Sequence, residues 1–88
     1  MDPFVWDDAK NAENLRERGL SFQLVYEVDW QSVVYEEDSR FDYGERRVRA
    51  VARIDGKPYC IVIVPRDGTI RVLSVRRMHE KEAKRYDV

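Results

Sequence analysis

The stretch Arg46–Arg77, RRVRAVARIDGKPYCIVIVPRDGTIRVLSVRR, decides the fold. Within it the even positions Val48, Ala50, Ala52 and Ile54 are apolar, whereas Arg47, Arg49 and Arg53 occupy odd positions with Val51 among them. Successive side chains of a strand point to opposite faces, so this pattern predicts a strand with one apolar face and one basic face. Asp55-Gly56 and Asp67-Gly68 are two-residue turn signals of the kind that join antiparallel neighbours. Three consecutive strands, 46–54, 59–64 and 69–77, are therefore predicted to form an antiparallel meander. Its middle run, Tyr59-Cys60-Ile61-Val62-Ile63-Val64, is apolar at every position and demands cover on both faces of the sheet.

The covers are sought in the flanking segments. Asp7–Arg18 (DDAKNAENLRER) is rich in helix formers, opens on acids suited to an N-cap and first turn, and meets a stop at Gly19. Ala9, Ala12 and Leu15 are assigned to its apolar face, while Lys10 and Asn14 share a different one. Ser21 is expected to cap a shorter second helix that buries Phe22, Val25, Tyr26 and Val28, with Trp30 close behind; Trp6, Leu15 and Phe22 are expected in the core. Residues 32–36 read as a short strand followed by a polar loop to Gly44, and Met78–Asp87 (MHEKEAKRYD) as a short closing helix. The expected architecture is α+β, one domain over residues 1–88: two N-terminal helices on one face of an antiparallel sheet of about four strands, and a short C-terminal helix partly covering the other. A chain of this length leaves much of its surface uncovered, and a partner protein is expected to complete the second cover.

The whole-chain charge conceals a division. Sixteen basic and seventeen acidic residues sum to −1, which taken whole argues against a nucleic-acid binder. Residues 1–38, however, carry three basic and ten acidic side chains, whereas residues 39–88 carry thirteen and seven. The front is acidic and the back is basic. No apolar run approaches the roughly 20 residues that span a bilayer, and Met1-Asp2-Pro3-Phe4 lacks the pattern of a secretion signal, so a cytoplasmic protein without membrane association is expected. The single Cys60 cannot form an internal disulfide and, within its apolar run, reads as a buried structural thiol. Cys60 and the lone His79 fall short of a zinc ligand set, and no metal or other cofactor is expected.

The candidate chemistry lies among the arginines. Strict alternation puts Ser74 and Arg76 on one face of the last strand and Arg71 and Arg77 on the other. Antiparallel pairing then brings the end of that strand toward one or more of Arg47, Arg49 and Arg53. Converging guanidinia hold phosphate oxygens through paired hydrogen bonds and stabilise charge at phosphorus. The competing reading makes these arginines solvated edges paired with Glu36, Glu37 or Asp38. His79, whose side chain ordinarily titrates near neutrality, follows Arg76-Arg77 and is a candidate proton donor or acceptor. Tyr86, four residues after Glu82, is expected to pack its ring on the domain.

Phe4-Val5-Trp6-Asp7, Lys10, Asn14, Gly19-Leu20-Ser21-Phe22, Tyr43-Gly44-Glu45-Arg46-Arg47, and Ser74-Val75-Arg76-Arg77 with Glu82 and Tyr86 follow in an order and spacing that resembles the BrnT family over almost the full chain. The resemblance implies a RelE-like fold and a ribonuclease toxin of a bacterial type II toxin–antitoxin pair. Such a toxin cleaves RNA without a metal, arrests translation and is neutralised by a BrnA-like antitoxin. The implied assembly is a hetero-oligomer that meets operator DNA only through the antitoxin. In that picture the RNA 2′-hydroxyl attacks the adjacent phosphate, and the protein positions the backbone and stabilises the transition state. The positions carried over are Lys10, Arg53, Arg76 and Arg77 as phosphate clamps and Glu45 as a base or orienting group, with His79 kept beside them from the residue pattern. Glu17-Arg18 stands where the family usually has Lys-His, Val64-Pro65-Arg66 where Thr-x-Arg is common, and Val75 where Ala is common. These departures leave open a second reading, a catalytically weakened homologue serving as a partner-binding module or transcriptional co-repressor. A third is an RNA-binding domain without cleavage.

Overall fold

Asp55 and Gly56 take left-handed backbone at φ 51° and 76°, the geometry in which a two-residue turn matches the twist of the strands it joins. A computed structural model describes residues 2–88. Along the chain lie β1 (Phe4–Val5), α1 (Asp8–Arg18), a 3₁₀ helix (Phe22–Glu27), β2 (Val34–Glu37), β3 (Val48–Ile54), β4 (Lys57–Arg66), β5 (Thr69–Arg77) and α2 (Glu80–Lys84). The sheet order is β1-β5-β4-β3-β2, antiparallel from β2 to β5 with β1 parallel to β5. The α+β class and the meander agree with expectation; the strand count does not. A fifth strand, in which Phe4 faces Ile70 and Val5 faces Arg71, makes the sheet mixed. Two residues are too few to show a period, which is why the sequence pattern missed it.

Both covers that the central apolar strand requires are present. Tyr59, Ile61 and Ile63 join Val48, Ala50, Ala52, Ile54, Val72 and Val75 in the main core beneath Phe22, Val25 and Val28. Val51 and Cys60 face the other way and pack with Met78, flanked by Tyr86 and Val88. The second helix is corrected to a 3₁₀ turn, and Tyr26 is half exposed rather than buried, donating its hydroxyl to Asp2. The closing helix is confined to Glu80–Lys84, shorter than the segment 78–87.

The larger correction concerns α1. Ala9 and Ala12 are exposed and Leu15 is 51% exposed, while the buried residue of this helix is Asn14. The physical reason is where α1 sits. β1 pairs only with the start of β5, so α1 lies along the remaining outer edge of β5, where backbone groups rather than apolar side chains need partners. Asn14 answers both of them: its Nδ2 donates to Val75 O (2.9 Å) and Leu20 O (2.9 Å), and its Oδ1 accepts from Val75 N (3.3 Å). Asn11 Oδ1 accepts from Phe22 N (2.8 Å) and ties the helix to the 3₁₀ turn.

β5 also breaks strict alternation. Val62 pairs with Ser74 but Ile63 pairs with Val72, leaving Leu73 as an extra residue in a bulge. Val72 and Val75, three apart, therefore both reach the main core. Arg71 is turned onto the face that carries Ser74 and Arg76, correcting the expectation that it lies with Arg77.

The loop from β2 to β3 is closed at its base by Asp38 N donating to Arg47 O (2.9 Å). The Asp38 side chain, 2% exposed, accepts from Arg40 Nε (2.9 Å), from its second guanidinium nitrogen (3.0 Å) and from the Tyr43 hydroxyl (3.4 Å). Its pKa is lowered from 3.8 to about 2, chiefly by the Arg40 hydrogen bonds acting against desolvation.

Asn14→Ala strands the Val75 amide and two carbonyls, and is expected to cost about 2–3 kcal/mol in urea unfolding. Asn14→Asp keeps the acceptor but turns carboxylate against both carbonyls, so it is expected to be no more stable; wild-type stability in either variant would remove the edge-closing role. For Asp38 the folded pKa lies below the unfolded one, so its contribution is present above 3.8 and is lost as pH falls toward about 2. Asp38→Asn is expected to be destabilised by about 1–2 kcal/mol at neutral pH, discounted for the exposed Arg40, with the gap to wild type closing across that acid window.

Candidate functional site

The face of the sheet opposite the 3₁₀ helix is built in cross-strand rows. One row runs Arg76, Cys60, Val51 and Val34; the next runs Ser74, Val62, Arg49 and Glu36; Arg71 and Val64 begin a third. Arg53 and Arg47 lie beyond the two ends of this grid, in phase with Val51. Met78, Tyr86 and Val88 cover the row of Cys60, while the β2–β3 loop, through Glu45, reaches the row of Arg71. The Ser74, Val62 and Arg49 row lies between these two covers.

Four of the five arginines on this face are held by the protein's own carboxylates. Arg76 forms a two-pronged pair with Glu82 (2.8 and 3.2 Å), and Arg53 does so with Glu80 (2.7 and 3.0 Å). Arg71 donates to both oxygens of Glu45 (2.7 and 2.6 Å). Arg49 pairs with Glu36, which also accepts from the Tyr86 hydroxyl (3.2 Å). Arg47 instead lies 3.9 Å from the centre of the Tyr43 ring, with no ion-pair partner among the described residues. The Nε atoms of Arg47, Arg49 and Arg71 are buried without a hydrogen-bond partner among the described residues, a polar cost concentrated on this face.

The pairings shift the titrations as their geometry dictates. Hydrogen bonds from Arg76 and Arg53 hold Glu82 and Glu80 below the usual carboxylate range, and the same bonds raise both guanidinia. Burial pushes the Cys60 thiol up, consistent with a structural thiol rather than a nucleophile. Burial likewise raises Tyr86.

Arg53 has four N–H contacts in use, two to Glu80 and one each to Gly56 O (2.8 Å) and Val88 O (3.0 Å), so it straps α2 and the chain end to β3. A guanidinium has five donors, which leaves Arg53 one and Arg76 three. Lys10 is exposed on α1 and lines a cleft with Asn14, Leu73 and Ser74, entering the Ser74 row from the β5 edge. Glu45 is brought to the face by Arg71. Arg77 is not part of this assembly: it is exposed, on the main-core side, 5.5 Å from the centre of the Tyr59 ring. His79 is exposed at the start of α2 without a side-chain cap bond and shares an open groove with Lys81, Glu82 and Arg85. Arg49 and Arg47 were legible from alternation on β3. The place of Arg71 on this face and the carboxylates Glu45 and Glu80 were not, because the bulge and pairings across 26 and 27 residues leave no local trace.

The two readings of the arginines are thus not exclusive. Of the strand arginines only Arg49 pairs as the edge reading expected, with Glu36; Glu37 and Asp38 are taken by Arg46 and Arg40, which that reading did not include, and Arg47, Arg49, Arg53, Arg71 and Arg76 share one face.

No curated protein matches this chain in sequence. Among solved structures it is similar to the crystal structure of the Brucella abortus ribonuclease toxin, BrnT, with a TM-score of 0.70 and 20% identity, covering 91% of this chain and 100% of that one. That likeness bears on the fold. The family model for the ribonuclease toxin, BrnT, of type II toxin–antitoxin systems matches residues 6–82, and the chain belongs to that family.

Proposed function

We propose that this chain is an endoribonuclease toxin that cleaves RNA without a metal, inhibits translation in the cytoplasm, and is neutralised by a BrnA-like antitoxin in a hetero-oligomer that meets operator DNA only through that antitoxin. The observation that carries this reading is the arginine face: five guanidinia on one side of a sheet, most with N–H donors still free. The meander with helical segments packed over it accords with a RelE-like fold.

RNA brings its own nucleophile. The 2′-hydroxyl attacks the adjacent phosphorus, its proton leaves to a base, and the P–O5′ bond breaks to give a cyclic phosphate and a 5′-hydroxyl. What the protein must supply is alignment, charge stabilisation and two proton transfers. In this reading Arg76, oriented by Glu82, and Lys10, entering from the β5 edge, hold the non-bridging oxygens. Arg53 straps α2 and thereby positions Glu82. Glu45 orients Arg71 and is the carboxylate nearest the task of base. His79, beside Glu82, is the candidate proton donor, and Arg77 reaches substrate only around the sheet's end.

Induced expression of the chain alone is expected to arrest growth with loss of RNA. Arg76→Ala is expected to lower cleavage by about 10²–10³-fold in purified protein whose circular dichroism is unchanged. Toxicity that survives Lys10→Ala, Arg53→Ala and Arg76→Ala together would move the site off this face. Unimpeded growth with intact antitoxin binding would leave the partner-binding module instead.

A further inference from the structure

Phe41 presents a problem that folding does not explain. It is the most exposed large apolar side chain of the described residues, at 68%, yet the loop that carries it is heavily braced. Its ring stands edge-to-face with Tyr43 (5.8 Å between centroids, 73° between planes), and the Arg47 guanidinium lies 3.9 Å from the Tyr43 centroid. Tyr43 is fixed at its other end by its hydroxyl on the buried Asp38. Gly44 takes φ 71° and donates its amide to Asp42 (3.0 Å), which turns the chain after the two rings. The bracing converges on the rings themselves and leaves Phe41 uncovered.

We propose that Phe41, backed by Tyr43 and Arg47, is a stacking platform for a base of single-stranded RNA. The proposal rests on reading the arginine face as the RNA site. An exposed flat ring accepts any base, because every base has a π-face, and an adjacent cation strengthens the stack. The surroundings are those of a nucleotide rather than of an apolar peptide. The side chains of Arg40 and Arg46, on either side of Phe41 in the loop, are 61% and 64% exposed even while paired with Asp38 and Glu37. Arg47 leads directly into Arg49 on the same face of β3, and Glu45 from this loop holds Arg71. A base stacked on Phe41 thus sends its flanking phosphates toward the arginine row, and the platform sets how the strand is threaded. Phe41 carries no titratable group, so its part is in binding and register, separate from the proton transfers.

The test is equilibrium binding of short mixed-sequence RNA carrying 2′-O-methyl groups, which cannot be cleaved because the nucleophile is capped, beside an abasic oligomer of the same backbone and length. Phe41→Ala is expected to weaken binding of the base-bearing RNA about tenfold, the loss of one stack, and to leave the abasic oligomer unchanged. Phe41→Trp is expected to restore wild-type affinity, and Arg47→Ala to weaken both oligomers and flatten the salt dependence. Equal affinities of Phe41→Ala and wild type for the base-bearing RNA, or equal losses on both oligomers, would overturn the platform while leaving the ribonuclease reading intact. Loss of antitoxin binding with undiminished RNA binding would also overturn it, making the ring a protein-docking residue. A wild-type chain that neither binds nor cleaves RNA would bring down both readings together.

Discussion

β4 is buried on both faces over most of its length. Tyr59, Ile61 and Ile63 belong to one core and Cys60 to another, with Val64 at 1% exposure beyond them, so each face of the sheet must be capped by something the same short chain provides. The first cap is economical: the 3₁₀ turn from Phe22 to Glu27 supplies Phe22 and Val25, both at 0% exposure, with Trp6, Leu20, Leu24 and Trp30 around them. The second is split between the C-terminal tail and the β2–β3 loop. Between those two pieces the sheet keeps a strip floored by Ser74, Val62 and Arg49, and the polar chemistry of the molecule gathers along it. The arginine-lined strip is thus a consequence of how the second face is covered.

Edges impose the complementary constraint. A strand edge exposes donors and acceptors in fixed alternation, and β1 satisfies them only at the start of β5. Asn14 continues the task with one amide group that presents both a donor and an acceptor to Val75, so that a helix substitutes for a strand. This explains why α1 buries an amide and exposes Leu15. The bulge at Leu73 has its own consequence beside this edge: the residue it inserts reverses the parity of β5 and aligns Arg71 with Arg76 while keeping Val72 and Val75 in the core.

Ion pairs as exposed as these add little to stability, so their value lies in orientation. Arg53 and Arg76 are gripped from α2, by Glu80 at its start and Glu82 at its middle, and Arg71 is gripped from the loop. Each carboxylate occupies part of a guanidinium and aims the rest. On Arg47 a tyrosine ring takes the place of the carboxylate, which leaves that cation without an ion-pair partner among the described residues, beside the ring on which Phe41 stands edge-to-face. The acidic front and basic back of the sequence are therefore not two separate surfaces: Glu36 from the first half faces Arg49 from the second.

Much of this was readable in one dimension. The alternation of Arg47, Arg49 and Arg53 with Val48, Ala50, Ala52 and Ile54, the Asp-Gly turns and the all-apolar run from Tyr59 to Val64 determined the meander, its basic face and its need for two covers, because period and turn chemistry are local properties. The family resemblance, carried by motifs spread from Phe4 to Tyr86, was also present in the sequence. Tertiary structure alone decided that Phe4 and Val5 form a strand, that α1 closes an edge with Asn14, that Arg71 joins Arg76, and that Glu45, Glu80 and Glu82 aim Arg71, Arg53 and Arg76. Each of these depends on which backbone group or charge lies across a gap. A strand's parity is set by its partner's register, and an edge's demand by where its neighbour stops, so neither is written in the residues that respond to it.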